Sequence, residues 1–321
     1  MNRSRSTRLV GYLSIALVLA GLVVANFVIT GDDHRLKFNS MKIELNPDFS
    51  DPYATSPEYV AQVLAAPPLS NGTAIVRKKA VFQPVTFARR GIDFLEIYQS
   101  QHDPRFLSDS KSLMNQIVKN STLDAHNARW LSYQFDFALH GDQANTIHAP
   151  WYSAMAEGLA LSLSSRLYSI TGNDLYLKEA DSFFNALANI KPIKAAGSVG
   201  VSFVDENSYL WLEEYSGDVA PMRVINGHIF AIFGLADYWK ITRSSKCEQI
   251  IKGASSTVLH YFDGYRNPGT ISWYGMRVQD NPHAMSAKYH KIVTGQFKSL
   301  ASITGDATFS KKAELLYQDF H

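Results

Sequence analysis

Cysteine is almost missing from this chain: Cys247 stands alone among 321 residues, so no internal disulfide can close and the fold must be held by its core. Nor do Cys and His residues cluster at zinc spacing, and no metal or cofactor is expected. Charged residues are few, at 19%, and balanced in sign, 31 Lys and Arg against 29 Asp and Glu for a formal +2. Arg3, Arg5 and Arg8 precede an uncharged stretch, and without them the remainder carries −1. That balance excludes the basic excess by which nucleic-acid binders neutralise phosphates. Apolar residues are abundant, 46% hydrophobic and 12% aromatic, which excludes intrinsic disorder and supplies one or two sizeable cores.

Leu9 to Ile29 is a run of 21 uncharged, mostly apolar residues, about 32 Å long as a helix and therefore able to span a bilayer. Three arginines precede it, and Asp32 and Asp33 follow. The positive-inside rule then predicts a cytoplasmic tail over 1–8, a membrane anchor over 9–29 and a working domain facing a periplasm, a Golgi lumen or the exterior. The competing expectation is a signal peptide cleaved near Val23-Val24-Ala25 and a secreted domain. Residues 30–80 carry Pro47, Pro52, Pro57, Pro67 and Pro68, a density that reads as a stalk with one short helix.

Residues 81–321 have a helical period. Apolar positions recur in paired segments, 84–100 with 104–120, 151–171 with 174–190, 223–243 with 246–262, and 286–304 with 307–320. Two turns are near copies, LYSITGNDLYLKEA at 167–180 and LASITGDATFSKKA at 300–313, each with Thr-Gly ending one helix and Asn or Asp capping the next. The fold expected is mainly α: an (α/α) toroid or incomplete barrel of about four helical hairpins. Between hairpins lie β-like segments at Trp130–Leu139, Ser198–Tyr215 and Thr270–Met276. Connections between hairpins of a toroid emerge at one end, so these insertions should meet at a single mouth, where function is expected.

Three constellations fall on that mouth. WYSAMAEGLALS (151–162) opens a helix with Trp151 and Tyr152 followed by small residues, suited to close backbone or ligand approach, although Gly and Ala at such spacing equally serve packing. SYLWLEEYSGDVAPMRVINGHIFA (208–231) supplies Glu213, Glu214 and Tyr215, then Asn226, Gly227 and His228. A solvated pair is the ordinary fate of two glutamates, and a lone helical histidine ordinarily sits satisfied in a core. GTISWYGMR and AKYHKIVTGQF offer Trp273, Tyr274, Arg277, Tyr289 and His290. Against the bland reading of each stands their sum at one rim.

On these residues the sequence resembles the C-terminal helical domain of the D-glucuronyl C5-epimerases, which convert glucuronate to iduronate within heparosan. The shared patterns are W-Y-S-A-M-A-x-G from Trp151, E-E-Y with a spacer and N-G at 213–215 and 226–227, G-L-x-D-Y at Gly234 to Tyr238, and Y-x-x-R then Y-H at Tyr274 to Arg277 and Tyr289-His290. The resemblance covers about 148–321 and echoes near Gln83 to Tyr98. It implies an (α/α) barrel of four hairpins and functional tyrosines at Tyr215, Tyr274 and Tyr289 with Glu214 and Arg277 beside them and His290 as a further carry-over. Their place at the mouth makes Trp151, Tyr152, Asn226, His228, Trp273 and His290 the candidate substrate contacts. The implied partner is an anionic, uronate-containing polysaccharide such as a glycosaminoglycan, and a homodimer is one expected assembly. Three departures stand out: Val293 replaces a usual second histidine, two extra residues precede Tyr274, and the family's β-sandwich domain finds no room in the stalk.

The residue types suit the reaction. Inverting C5 of a uronate removes a weakly acidic proton α to a carboxylate and returns one to the opposite face, so two acid–base groups must flank the ring. Arg277 is expected to grip the carboxylate and a protonated Glu214 to donate to the enediolate. A tyrosine becomes a base only where a cation favours its phenolate. Two rival readings share the site: a polysaccharide lyase, which begins with the same abstraction and expels the C4 substituent, and an inactive membrane-tethered glycan binder.

Overall fold

Four helical hairpins form where the apolar period places them. The computed structural model describes residues 37–53, 56–66, 73–76, 79–193, 200–277, 279, 281 and 285–321. After a short helix α1 (Pro57–Ala65) and strands β1 (Thr73–Val76) and β2 (Lys79–Phe82), the hairpins are α2 (Pro84–Gln101) with α3 (Pro104–Lys119), α4 (Ala154–Thr171) with α5 (Asp174–Leu187), α6 (Ile225–Thr242) with α7 (Ser245–His260), and α9 (Ala287–Thr304) with α10 (Ala307–Asp319). The single-turn α8 (Phe262–Tyr265) follows α7. The first helix of each pair lies inside, in the order α2, α4, α6, α9, and the second packs outside its own partner.

All four hairpin turns share one construction, not only the two that match in sequence. Each inner helix ends on a left-handed residue, His102, Gly172, Arg243 or Gly305. The next residue, Asp103, Asn173, Ser244 or Asp306, caps the outer helix by accepting a backbone N–H. Histidine and arginine at the left-handed position hide the repeat, because that conformation usually draws glycine or asparagine.

The fourth residue of three inner helices repeats as well. Glu157, His228 and His290 are fully buried, and each accepts a backbone N–H from the insertion before its helix, from Leu131, Leu212 and Ser272 respectively. The two imidazoles then donate from Nε2 to carbonyls of the outer helix 26 residues on, Ala254 and Leu316. They pin insertion, inner helix and outer helix together. Small residues act likewise: a side chain on Gly234 would strike the carbonyl oxygen of Gly158, so α4 and α6 meet backbone to backbone.

The insertions are stitched together at the N-terminal ends of the inner helices. They hold β3 (Thr122–Leu123) with β4 (Arg129–Trp130), β5 (Phe137–Ala138) with β6 (Thr146–Ile147), and β7 (Ile190–Pro192), β8 (Ser202–Val204) and β9 (Leu210–Leu212) in one small sheet. Bridges Tyr133 to Trp151, Tyr152 to Ser216 and Val224 to Gly275 link one insertion to the next. The single mouth expected from the hairpin count is present.

The stalk expected over 30–80 requires correction. Residues 38–53 pack along the barrel within the same compact unit, Phe38–His321: Asn39 N donates to Ser208 O and Met41 N to Lys252 O, and residues 46–53 reach the C-terminal part of the inner helices. Leu45, Phe49 and Tyr53 are buried, Asn46 N donates to Ile303 O, and Ser50 reaches Ser302 at the end of α9. Tyr53 inserts against Phe230 and Phe233. Beside it Arg166 of α4 gathers Asp51 of the strap, Glu96 of α2 and Asp237 of α6 at 2.5 to 2.8 Å. An extended strap has no period, so its apolar residues look unremarkable until they are packed. The anchor and tail expected over 1–8 and 9–29 lie outside the described residues; among those described, no helix is long and apolar enough to cross a membrane.

Candidate active site

The site begins with two consecutive glutamates that face different ways. Glu213, directly after β9, is buried and turns inward, where its carboxylate accepts the backbone N–H groups of Tyr215 and Arg223. It closes the loop that presents its neighbours. Burial pushes its carboxyl up to about 7 against those backbone hydrogen bonds. Glu214 lies over Gly227 in the first turn of α6, a place no side chain at 227 would leave open.

Glu214 receives a chain of hydroxyls. The Tyr274 hydroxyl donates to its Oε1 at 3.0 Å, and the Tyr215 hydroxyl lies 3.1 Å from that of Tyr274. Burial pushes the Glu214 carboxyl up to about 7, opposed by hydrogen bonds from Tyr274 and Tyr215. Burial first, and the Glu214 charge second, raise Tyr215, Tyr274 and Tyr289 above the ordinary phenol range. Tyr289, in the first turn of α9, stands with its ring 4.9 Å from that of Tyr274 and is 37% exposed. Gly275 permits this placement, since a side chain there would crowd the carbonyl oxygen of Met222 across the bridge to Val224.

Two cavities open around the phenols. One, of about 380 Å³, lies between the turn Leu139–Gly141 and Tyr215, Tyr274 and Tyr289. The other, of about 250 Å³, reaches inward past Trp151, Glu214 and Asn226 and shares Phe137, Tyr215 and Tyr289 with the first. Glu214 Oε2 and Asn226 Oδ1 are buried there without a hydrogen-bond partner, which leaves polar capacity for a bound molecule. Trp151 stacks on Tyr133 at 3.8 Å, a rigid aromatic wall.

Tyr215, Tyr274, Tyr289, Glu214, Trp151 and Asn226 thus come together as the sequence suggests. Five expectations need correction. Arg277 lines neither cavity; its guanidinium donates to Ala220 O and, at 3.0 Å, to Asn145 Oδ1. His228 and His290 are the buried pins described above, and burial lowers His228 to about 4, as expected of an imidazole holding two backbone groups in a core. Tyr152 pairs with Ser216 and packs its ring against Trp130, and Trp273 pairs with Met285; neither lines a cavity.

The residues missed are Phe137 and His140, which line the first cavity, and Tyr133, Phe135 and Gln83, which line the second. The alternation over Trp130–Leu139 places most of them at the mouth, but their facing direction depends on the β5–β6 pairing. His140 meets Tyr274 edge-on, ring centroids 4.9 Å apart. Among the described residues no group of three or more His, Cys, Asp or Glu side chains could hold a metal ion.

Comparison with known proteins agrees with this architecture. The family model for the D-glucuronyl C5-epimerase C-terminus matches residues 126–317. A cellobiose 2-epimerase from Bacillus thermoamylovorans superposes with a TM-score of 0.51 at 11% identity, over 74% of this chain and 59% of that one. A glycoside hydrolase family 76 mannosidase from Bacteroides thetaiotaomicron gives 0.50 at 12%, over 76% and 63%. At such identities the likeness concerns the helical fold alone, and the chain spans about three-fifths of the length of either structure.

Proposed function

This chain belongs to the D-glucuronyl C5-epimerase C-terminus family, and from that premise we propose that it is a carbohydrate epimerase inverting C5 of uronate residues in an anionic polysaccharide. The observation that carries the reading is the hydrogen-bonded series Tyr215, Tyr274, Glu214 on the wall of a cavity that also holds Tyr289.

The series answers a difficulty in the chemistry. Among the described residues no lysine or arginine lines either cavity, and burial opposes a phenolate on Tyr215 or Tyr274. A phenol can still accept the C5 proton if its own proton departs at once. Tyr215 oxygen takes the proton from C5, its hydroxyl proton passes to Tyr274, and the Tyr274 proton passes to ionised Glu214. The C–H electron pair moves into the substrate carboxylate as an enediolate. The negative charge thus leaves Glu214, whose carboxyl near 7 is matched to accept it at neutral pH. Tyr289 then gives its proton to C5 from the opposite face and regains one from solvent, which its exposure permits.

The test is solvent isotope. In heavy water a heparosan-type polymer should gain deuterium at C5 and form iduronate. A growing ultraviolet absorbance of unsaturated uronate would select elimination instead, and binding with neither signal would select a glycan binder. The anchor over 9–29, supported by its apolar length and by Arg3, Arg5 and Arg8, would hold this domain outside the cytoplasm on the membrane surface; protease protection of the full-length protein in closed vesicles checks the orientation.

A further inference from the structure

One inner helix carries cations without counter-charges. Every other hairpin helix contains Asp or Glu, whereas α9 contains neither and holds Lys288, Lys291 and Lys298. All three lysines are exposed, and among the described residues none of them forms an ion pair. Lys288 and Lys291 stand in the first two turns, where the helix dipole is positive and disfavours a cation. Folding gains nothing from such charges, and what they can serve is an anionic ligand.

The row has a direction. Gln296 Nε2 donates to Asn226 O of α6 and His290 to Leu316 O of α10, which marks the two sides on which α9 packs. Positions 288, 291, 295 and 298 follow the helical spacing of three and four residues, so they share one face, and that face is turned from both neighbours. Gly295 is exposed in its middle, and a side chain there would meet open space. At about 1.5 Å per residue the row is about 15 Å long, more than a single sugar ring. Tyr289, which lines both cavities, leaves the same turn as Lys288, so the row begins at the mouth.

We propose that this face of α9 is a docking surface for a polyanionic chain: it binds the acid groups of sugars beyond the one held in the cavity, and so directs the protein to sugars inside a polymer. That the chain is a uronate polymer rests on the epimerase reading. Charge complementarity carries the assignment. The protein as a whole is near neutral, with a formal charge of +2, so attraction for a polyanion has to come from a local row. A single small anion would be held by donors converging on one point, whereas three lysines spread along a helix suit charges that repeat along a chain.

The experiment measures, by calorimetry on the detergent-solubilised full-length protein, the affinity per site for a heparosan-type polymer and for a glucuronate-containing trisaccharide. Wild type should bind the polymer more tightly, with an advantage that shrinks as salt rises. The triple variant Lys288→Gln, Lys291→Gln, Lys298→Gln should lower the polymer-to-trisaccharide ratio by about tenfold or more, the scale of three exposed ion pairs. Removing the same charge from exposed sites on outer helices, with Lys119→Gln, Lys178→Gln and Lys246→Gln, should leave the ratio as it is. Thermal melting monitors folding, and Lys291→Glu alone, which should also lower the ratio, replaces the triple variant if that fails to fold. A ratio unchanged in the folded α9 variant, an equal fall in the outer-helix variant, or no polymer advantage in wild type overturns the proposal. Mixed micelles of detergent and phosphatidylserine supply the lipid comparison: if they alone distinguish the α9 variant from wild type, the face meets a membrane and the proposal falls. Deuterium uptake at C5 separates the two readings. Uptake by wild type with an unchanged ratio in the variant sinks only the role of α9. A lowered ratio in the variant, with no uptake by wild type, supports the docking face and sinks epimerisation.

Discussion

The Tyr274 hydroxyl lies 3.0 Å from Oε1 of Glu214, and because Tyr274 also touches the Tyr215 hydroxyl, one carboxyl governs the protons of two phenols. A change at any of the three is felt by the others, and the first predictions follow from that coupling.

Exchange at C5 should rise with pH through about 7, where Glu214 ionises, since the proton acceptor must be charged to work. Glu214→Gln should lower kcat by about a hundredfold or more, the usual contribution of a positioned base, and remove that limb of the profile. A pH–rate series on both proteins checks it, and a limb that survives in the variant assigns it to another group.

Tyr215→Phe and Tyr274→Phe should each lower kcat on a similar scale, and the double variant should be little worse than either, because members of one relay are not additive. Tyr289→Phe should instead leave one face served. It is expected to retain release of the C5 proton from substrate while losing incorporation of deuterium as the inverted sugar, which mass spectrometry of tritiated and unlabelled substrate can read separately.

Stability should fall as pH rises from about 4.5 to 7. Glu213 and Glu214 are raised in the folded state to about 7, so the folded protein binds more protons than the unfolded chain in that window. Their contribution is complete below the unfolded value of 4.5 and is lost as the pH passes the folded one. The loss is on the order of 3 kcal/mol per group. Urea midpoints at pH 5 and pH 8 measure it, and the opposite trend would show that these carboxyls ionise freely in the fold.

Arg166→Met should destabilise the domain by about 3 to 5 kcal/mol, because it leaves Asp237 buried, and Asp51 and Glu96 half-buried beside it, without their cation. The Asp51 carboxyl, raised by burial, is held at about 2 by hydrogen bonding to and the charge of that guanidinium. Hydrogen exchange should show residues 38–53 losing protection ahead of the helices. Uniform loss across the barrel would mean the strap has no independence.

Gly234→Ala should cost about 1 to 3 kcal/mol by overpacking, since its methyl would meet the Gly158 carbonyl oxygen. Gly158→Ala, aimed at the Ala231 backbone, should behave alike, and thermal melting of both suffices as a test.

The four hairpins were legible because their causes are local. Apolar spacing and the caps at Asn173 and Asp306 act over a few residues of chain, and the aromatic content of the insertions marked the mouth without any knowledge of its shape. The gathering of the phenols and of Glu214 was legible too, as residue types on segments bound for one end. Hidden were the strap, whose Leu45, Phe49 and Tyr53 follow no period, and the direction of each long polar side chain. His228 and His290 look like site residues and are core pins, whereas His140 lines the cavity. Arg277 stands near Tyr274 in sequence yet spends its donors on Ala220 and Asn145. A guanidinium or an imidazole goes where its hydrogen bonds are best satisfied, and its competing acceptors here lie 26 to 132 positions away along the chain. Only when the backbone is folded do those acceptors acquire a distance, so the sequence by itself determined the helices and the inventory of polar and aromatic groups, and the tertiary structure decided which of them face the cavities.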